Sequence, residues 1–190
     1  MKPPDTHIQR LLNKARSGSA EDRHILIHHA CSRLLKLTRK MLGNFRNLKR
    51  WEQTDDVFQN ALIRLHRALN EVEVLDVRHF FNLAALQIRR ELLDLSKHYF
   101  GKEGCGRNLN RVMDPSHTVD GQIDHNYGEF HEWVRFHELI EGLPEQEREI
   151  LNLLFYEGFN QDEVSRFLDI SLSTVKRRWL SARLKLAELL

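Results

Sequence analysis

Few cysteines and no long apolar run set the first limits on this chain of 190 residues. Its two cysteines, Cys31 and Cys105, lie far apart and form no C-x-x-C pair. That excludes a disulfide scaffold and suits a reducing compartment. No apolar run approaches the roughly 18 residues of a membrane span. The opening stretch "MKPPDTHIQR" has no apolar core of a signal peptide, so the expected location is the cytoplasm. No P-loop, glycine-rich dinucleotide loop or Ser/His/Asp or Cys/His nucleophile arrangement is apparent, and no cofactor is expected. Strands are missing too: no segment alternates convincingly with period two.

What is present is helical periodicity. Hydrophobic residues make up 41% and charged residues 29%, enough for a packed core. Ile8, Leu11, Leu12 and Ala15 predict a short amphipathic helix ending near Gly18. Ser19 and Asp22 have the spacing to start a second, with Ile25, Ala30, Leu34, Leu37 and Met41 as its stripe and an end near Gly43. Thr54 can cap a third, whose stripe is Phe58, Ala61, Leu62, Leu65 and Leu69. A fourth runs from about Arg78 to Tyr99. Residues 101–137 then hold five of the nine glycines, Pro115 and four histidines, with no sustained apolar period. They predict a flexible linker with a short helix near its end. The histidines in it read as solvated polar residues rather than a sensor.

The net charge of +2 names no partner, but its distribution does. Between Glu141 and Glu163 seven acidic residues face one basic residue, Arg148. From Ser171 onward five basic residues face one acid, Glu188. A basic end is the electrostatic footprint of a nucleic-acid module. Pro144 suits the first turn of a helix there and Gly158 its end. Gln161 to Leu168 predicts a short helix, "DISLS" a turn, and Leu172, Val175, Trp179, Ala182 and Leu186 the core stripe of a final helix. Thr174, Arg177, Arg178, Ser181 and Lys185 share another, donor-rich face. A charged face on a terminal helix is often only solvated. Here a short helix and a tight turn come directly before it, and the basic residues sit early, where a recognition helix contacts bases. This is a helix-turn-helix.

The stretch "LPEQEREILNLLFYEGFNQDEVSRFLDISLSTVKRRWLSARLKL" resembles the fourth conserved region of bacterial sigma-70 family factors. LuxR-like activators share parts of it. Upstream, "TDDVFQNALIRLHRAL" resembles the polymerase-binding helix of sigma region two, and "RHFFNLAALQIRRELLDLSKHY" the promoter-melting helix after it. The two matches in this order, with a linker between and no third domain, resemble the extracytoplasmic-function (ECF) sigma factors. The fold implied is all-α: a region-2-like domain over 1–100, a linker over 101–137, and a region-4-like helix-turn-helix domain over 138–190. Asp169 stands where the family often has Gly, Ser165 where Ala is usual, and Arg177 where a small polar residue is common. The melting helix is less basic than usual, because Glu91 and Asp94 interrupt Arg89, Arg90 and Lys97.

The resemblance implies a subunit without catalysis of its own. It carries core RNA polymerase to promoter DNA and captures unpaired bases. Ser173, Thr174, Lys176, Arg177, Arg178, Ser181 and Lys185 are then the expected contacts to the upstream element. Arg78, His79, Asn82, Gln87, Arg89 and Arg90 are those to the downstream element and melted strand. Phe80 and Phe81 are candidate stacking platforms, although one of the pair is expected in the core. "NEVEVLDVRH", residues 70–79, matches the loop that holds an extruded base in the family. Asp55, Asp56, Gln59, Asn60 and Arg64 are the expected polymerase contacts. On residues alone the two aspartates merely favour a helix N-terminus. A flexible 37-residue linker spans roughly 33 Å, which with two domains reaches elements ~70 Å apart. An anti-sigma factor is implied as a partner, and a monomer as the free state.

Two rivals differ in class. A helix-turn-helix activator with an N-terminal sensing domain binds duplex DNA without polymerase. A metal-dependent enzyme uses His24, His28 and Cys31, which share helical spacing, but structural zinc usually takes four ligands, often with Cys pairs. No metal is expected.

Overall fold

The structure, a computed structural model, describes residues 6–17, 19–45, 48–100 and 122–189. Among them are eight α-helices and no strand. They are α1 (Thr6–Ser17), α2 (Ala20–Asn44), α3 (Thr54–Glu71), α4 (Val77–Phe100), α5 (Gln122–Gly142), α6 (Glu145–Leu151), α7 (Gln161–Leu168) and α8 (Leu172–Leu189). A 3-10 turn covers Leu48–Arg50, and α6 continues into a π-turn over Asn152–Tyr156. The fold is all-α, as the periodicity predicts.

By packing, the chain divides into two compact units. One comprises residues 1–40 and 53–91, the other 41–52 and 92–190. In the first, Leu12, Leu26, Leu34, Leu65, Phe80 and Ala84 are central to a single apolar core. Four helices contribute to it because each carries its apolar residues three and four apart. Ile25 is only half-buried, and Leu26 and Ile27 take the core positions beside it. Ser19 precedes α2 as expected, and the Asp22 carboxylate accepts from its N–H at 3.1 Å. Thr54 is not the cap of α3. It is the first helical residue, and Gln53 precedes it without a side-chain cap bond. Asp76 caps α4, its Oδ1 accepting from the His79 N–H at 2.7 Å.

In the second unit, Ile150, Leu153, Val164, Leu168 and Val175 form the core. Residues 149 to 153 are all buried, so α6 has no solvent face at its C-terminal end. Arg148, the one base in the acidic stretch, donates from Nη1 to the Glu141 carbonyl at 3.0 Å and so satisfies an open carbonyl near the end of α5. Helix α5 begins at Gln122, well inside the segment expected to be a linker with only a short helix. Of the four histidines there, His137 alone has a described side chain, and it is fully buried. Its ring lies 4.7 Å from that of Phe45 and within 3.3 Å of the Tyr156 hydroxyl. The solvated reading fails for it because α5 buries a face.

The turn between α7 and α8 is tightly made. Asn160 and Glu163 close a reciprocal capping box at the start of α7, with bonds of 2.8 and 2.9 Å. Its end is Asp169, in the left-handed conformation at φ 51°. Asp pays less than most residues for that geometry, since its short polar side chain tolerates it. The Ile170 N–H then reaches the Ser165 carbonyl at 3.1 Å. Ser165 Oγ donates to the Ile170 carbonyl at 2.6 Å. Two of the departures from the sigma pattern therefore meet at one turn. Ser165→Ala should lower stability by about 1 kcal/mol, read as a lower urea midpoint, although Ala is usual there in the family. Asp169→Gly should raise the midpoint, by up to about 1 kcal/mol.

Candidate functional site

Helix α8 presents the residues expected to meet DNA. Ser171 precedes it, and its hydroxyl accepts from the Thr174 N–H at 3.2 Å. The same hydroxyl lies 2.9 Å from that of Ser173 and 2.8 Å from that of Thr174. Val175 and Ala182 are fully buried beneath this face. Ser173, Lys176 and Arg177 are exposed, while Thr174 and Arg178 are half-buried. The N-terminal half of α8 thus carries an exposed donor surface directly after a rigid turn.

Farther along, the face divides. Ser181 Oγ donates to Glu147 Oε1 at 2.9 Å. Lys185 Nζ donates to both Glu147 oxygens, at 2.7 and 2.8 Å. The Glu147 side chain is only 13% exposed. Ser181 and Lys185 are therefore engaged with α6 and do not stand with the exposed donors. Periodicity could not separate them, because it assigns a face but not the neighbour on that face. Beyond them Leu180 and Leu184, each 55% exposed, line an apolar groove of about 480 Å3 with Phe136, Phe155 and Trp179.

In the first unit the expected residues also divide. Arg90 is exposed, and Arg78, His79 and Asn82 are half-buried. Gln87 is buried, and Arg89 is 0% exposed. The next residue, Glu91, is also buried, and its Oε2 lies 2.6 Å from Arg64 Nε. The acid that makes α4 look weakly basic in sequence thus faces inward, onto α3. Phe80 and Phe81 are both core residues, packed edge to face with centroids 5.2 Å apart. Arg33 covers the Phe81 ring at 3.7 Å. Neither ring is a stacking platform, because α4 buries positions on both sides of its expected stripe.

On α3, Asp55, Asp56, Gln59 and Asn60 are exposed together. Arg64 is turned to Glu91 instead. Ile63, 52% exposed, stands among the polar residues, four from Gln59 and three from Asn60. Sequence reasoning passed over it, yet the signal was there: an aliphatic residue on the polar side of an amphipathic helix.

Among the described residues no group of three or more His, Cys, Asp or Glu comes together to hold an ion. Desolvation raises the pKa of the half-buried Cys31 thiol above its ordinary value, which leaves little thiolate at neutral pH. No described helix is long and apolar enough to cross a membrane.

A capped short helix, a tight left-handed turn and an exposed basic helix define a helix-turn-helix protein, here with a second helical unit in the same chain. The chain belongs to the ECF sigma factors: the model of that family matches residues 5–190. No individually curated protein shows significant similarity to it. Members of this family are transcription initiation factors that direct core RNA polymerase to promoter DNA.

The Glu147 cluster generates a stability prediction. Lys185→Ala leaves a mostly buried carboxylate with one neutral partner, and should cost about 1–3 kcal/mol. Urea unfolding followed by circular dichroism reads the loss.

Proposed function

We propose that this sigma factor reads its upstream promoter element with the first two turns of α8. Lys176 and Arg177 lead this contact, Ser173, Thr174 and Arg178 support it, and Ser181 and Lys185 hold the helix in place from behind. The observation that carries the reading is the exposure of Lys176 and Arg177 just past the locked turn at Asp169. Arg there can donate two bonds to guanine, and Lys holds a phosphate.

The remaining roles follow the same surfaces. Asp55, Asp56, Gln59 and Asn60, with Ile63 among them, form the polymerase contact. An aliphatic side chain ringed by polar ones is the form of an interface anchor. Arg78, His79, Asn82 and Arg90 contact the melted strand, while Gln87 and Arg89 support α4 from inside. Residues 70–79 take the extruded base. The chain catalyses nothing itself. Opening a base pair costs a few kcal/mol, which stacking and pocket contacts to the extruded base recover. In this reading residues 1–100 bind polymerase and melt the promoter, 101–137 link, and 138–190 bind the upstream element. The protein works in the cytoplasm, is a monomer when free, and enters the holoenzyme as one copy. An anti-sigma factor restrains it. The exposed Leu180 and Leu184 give such a partner an apolar surface to cover.

Run-off transcription with purified core polymerase on DNA from the protein's own genome tests this. Specific transcripts that need the chain are expected. Their absence, with tight duplex binding by the chain alone, would favour an activator instead. On a mapped promoter, Arg177→Ala should cost about 1–3 kcal/mol and relax base preference at one upstream position. Lys176→Ala should weaken binding evenly and lower the salt slope by about 1. Fluorescence anisotropy over a salt series separates the two. Ile63→Asp should weaken core polymerase capture by about tenfold or more in a pull-down, with unfolding unchanged.

A further inference from the structure

No residue of helix α1 is named in the roles above, yet the helix is tied to the segment joining α3 to α4. Arg16 Nη2 donates to Glu73 Oε1 at 2.5 Å. Gln9 Oε1 accepts from the Val77 N–H at 3.4 Å, one of the donors that a helix leaves open at its start. Between these ties Leu12 and Ala15 are buried in the same core as Val74 and Val77. Arg16 also stands, with Arg23 of α2, in the wall of a cavity of about 360 Å3 whose opposite wall is residues 69–74. That volume lies at the small end of ligand sites, with room for one compact group.

The connection is thus held from two sides. On the α4 side Asp76 caps the helix, and the Leu75 N–H donates to His79 Nδ1 at 3.4 Å. On the α1 side Arg16 and Gln9 hold Glu73 and Val77. We infer that Arg16 and Gln9 are positioning residues for base capture, and that the Arg16–Glu73 pair sets which extruded nucleobase the cavity accepts. This rests on the promoter reading above. Extruding a base costs energy, and a site recovers it best when its walls are already in place. A guanidinium beside a carboxylate puts fixed donors next to an acceptor, the means by which base edges are told apart. The side chains of the pair are 39% and 70% exposed. Such exposed pairs add little to stability, so its effect falls on where Glu73 points rather than on whether the unit folds.

The test uses holoenzyme assembled from the full chain and core polymerase. The probes are forked DNAs from a mapped promoter, single-stranded over the downstream element and made with each base at each of its positions. Wild-type holoenzyme should prefer one base at one position at least. Arg16→Ala and Glu73→Ala should each flatten that preference by about fivefold at the same position, and the double variant should be no flatter than either. The exchange of Arg16→Glu with Glu73→Arg should restore part of it. Thermal unfolding and upstream-duplex affinity should stay at wild-type values throughout. Unchanged preference in both single variants overturns the inference. So does loss of preference at every position together with easier unfolding, which marks a merely structural tie. Promoter-specific transcripts from a wild-type holoenzyme that shows no base preference overturn it while leaving the promoter reading intact. If no specific transcript appears, that reading falls and takes the inference with it.

Discussion

The second unit depends on one short helix without a solvent face. Residues 149 to 153 of α6 and its π-turn are all buried, so neighbours must cover this segment all round. Two of these neighbours are also fastened to it. Arg148 bonds the end of α5, and Glu147 bonds Ser181 and Lys185 of α8. What α8 can offer to DNA is what α6 leaves unused, namely its first two turns. The acidic and basic stretches seen in sequence are thus partly consumed on each other, and the surplus of positive charge is concentrated at the start of α8. Attraction to phosphate falls off within roughly 10 Å in salt, so this concentration matters more than the near-neutral total.

A similar economy governs the first unit. In the proposed reading α4 must present donors to promoter DNA, yet it is buried at many of its positions. A charged group that cannot reach water must be matched inside, because desolvating it alone is far too costly. Glu91 meets Arg64 in this way. The apparent dilution of positive charge along α4 is therefore a property of the one-dimensional sequence rather than of the surface.

Most of the architecture was legible before the structure. Helix periods, the Ser19, Pro144 and Gly158 boundaries, and the tight turn at Asp169 each rest on local rules that a single segment carries by itself. The misreadings have one physical origin. Ser181 and Lys185 were placed by face, and Arg64, Arg89 and Phe81 by resemblance; both are properties of one segment, whereas the residue opposite belongs to another part of the fold. His137 was misjudged for a related reason: a glycine-rich neighbourhood suggested solvent, and the face that buries it became visible only with α5. Ile63 errs in the other direction. It was passed over, and lying off the apolar stripe is what leaves it exposed.

The π-turn at Asn152–Tyr156 sets the phase of what surrounds it. The Glu157 N–H bonds the Asn152 carbonyl, five residues back, so the segment carries one residue more than an α-turn spanning the same ladder. Loss of one residue inside this turn would let the ladder close as α-helix with the acidic opening and the glycine at its end both in place. Loss of one residue earlier in α6 would instead turn the side chains by about 100°, enough to exchange a core residue for an exposed one.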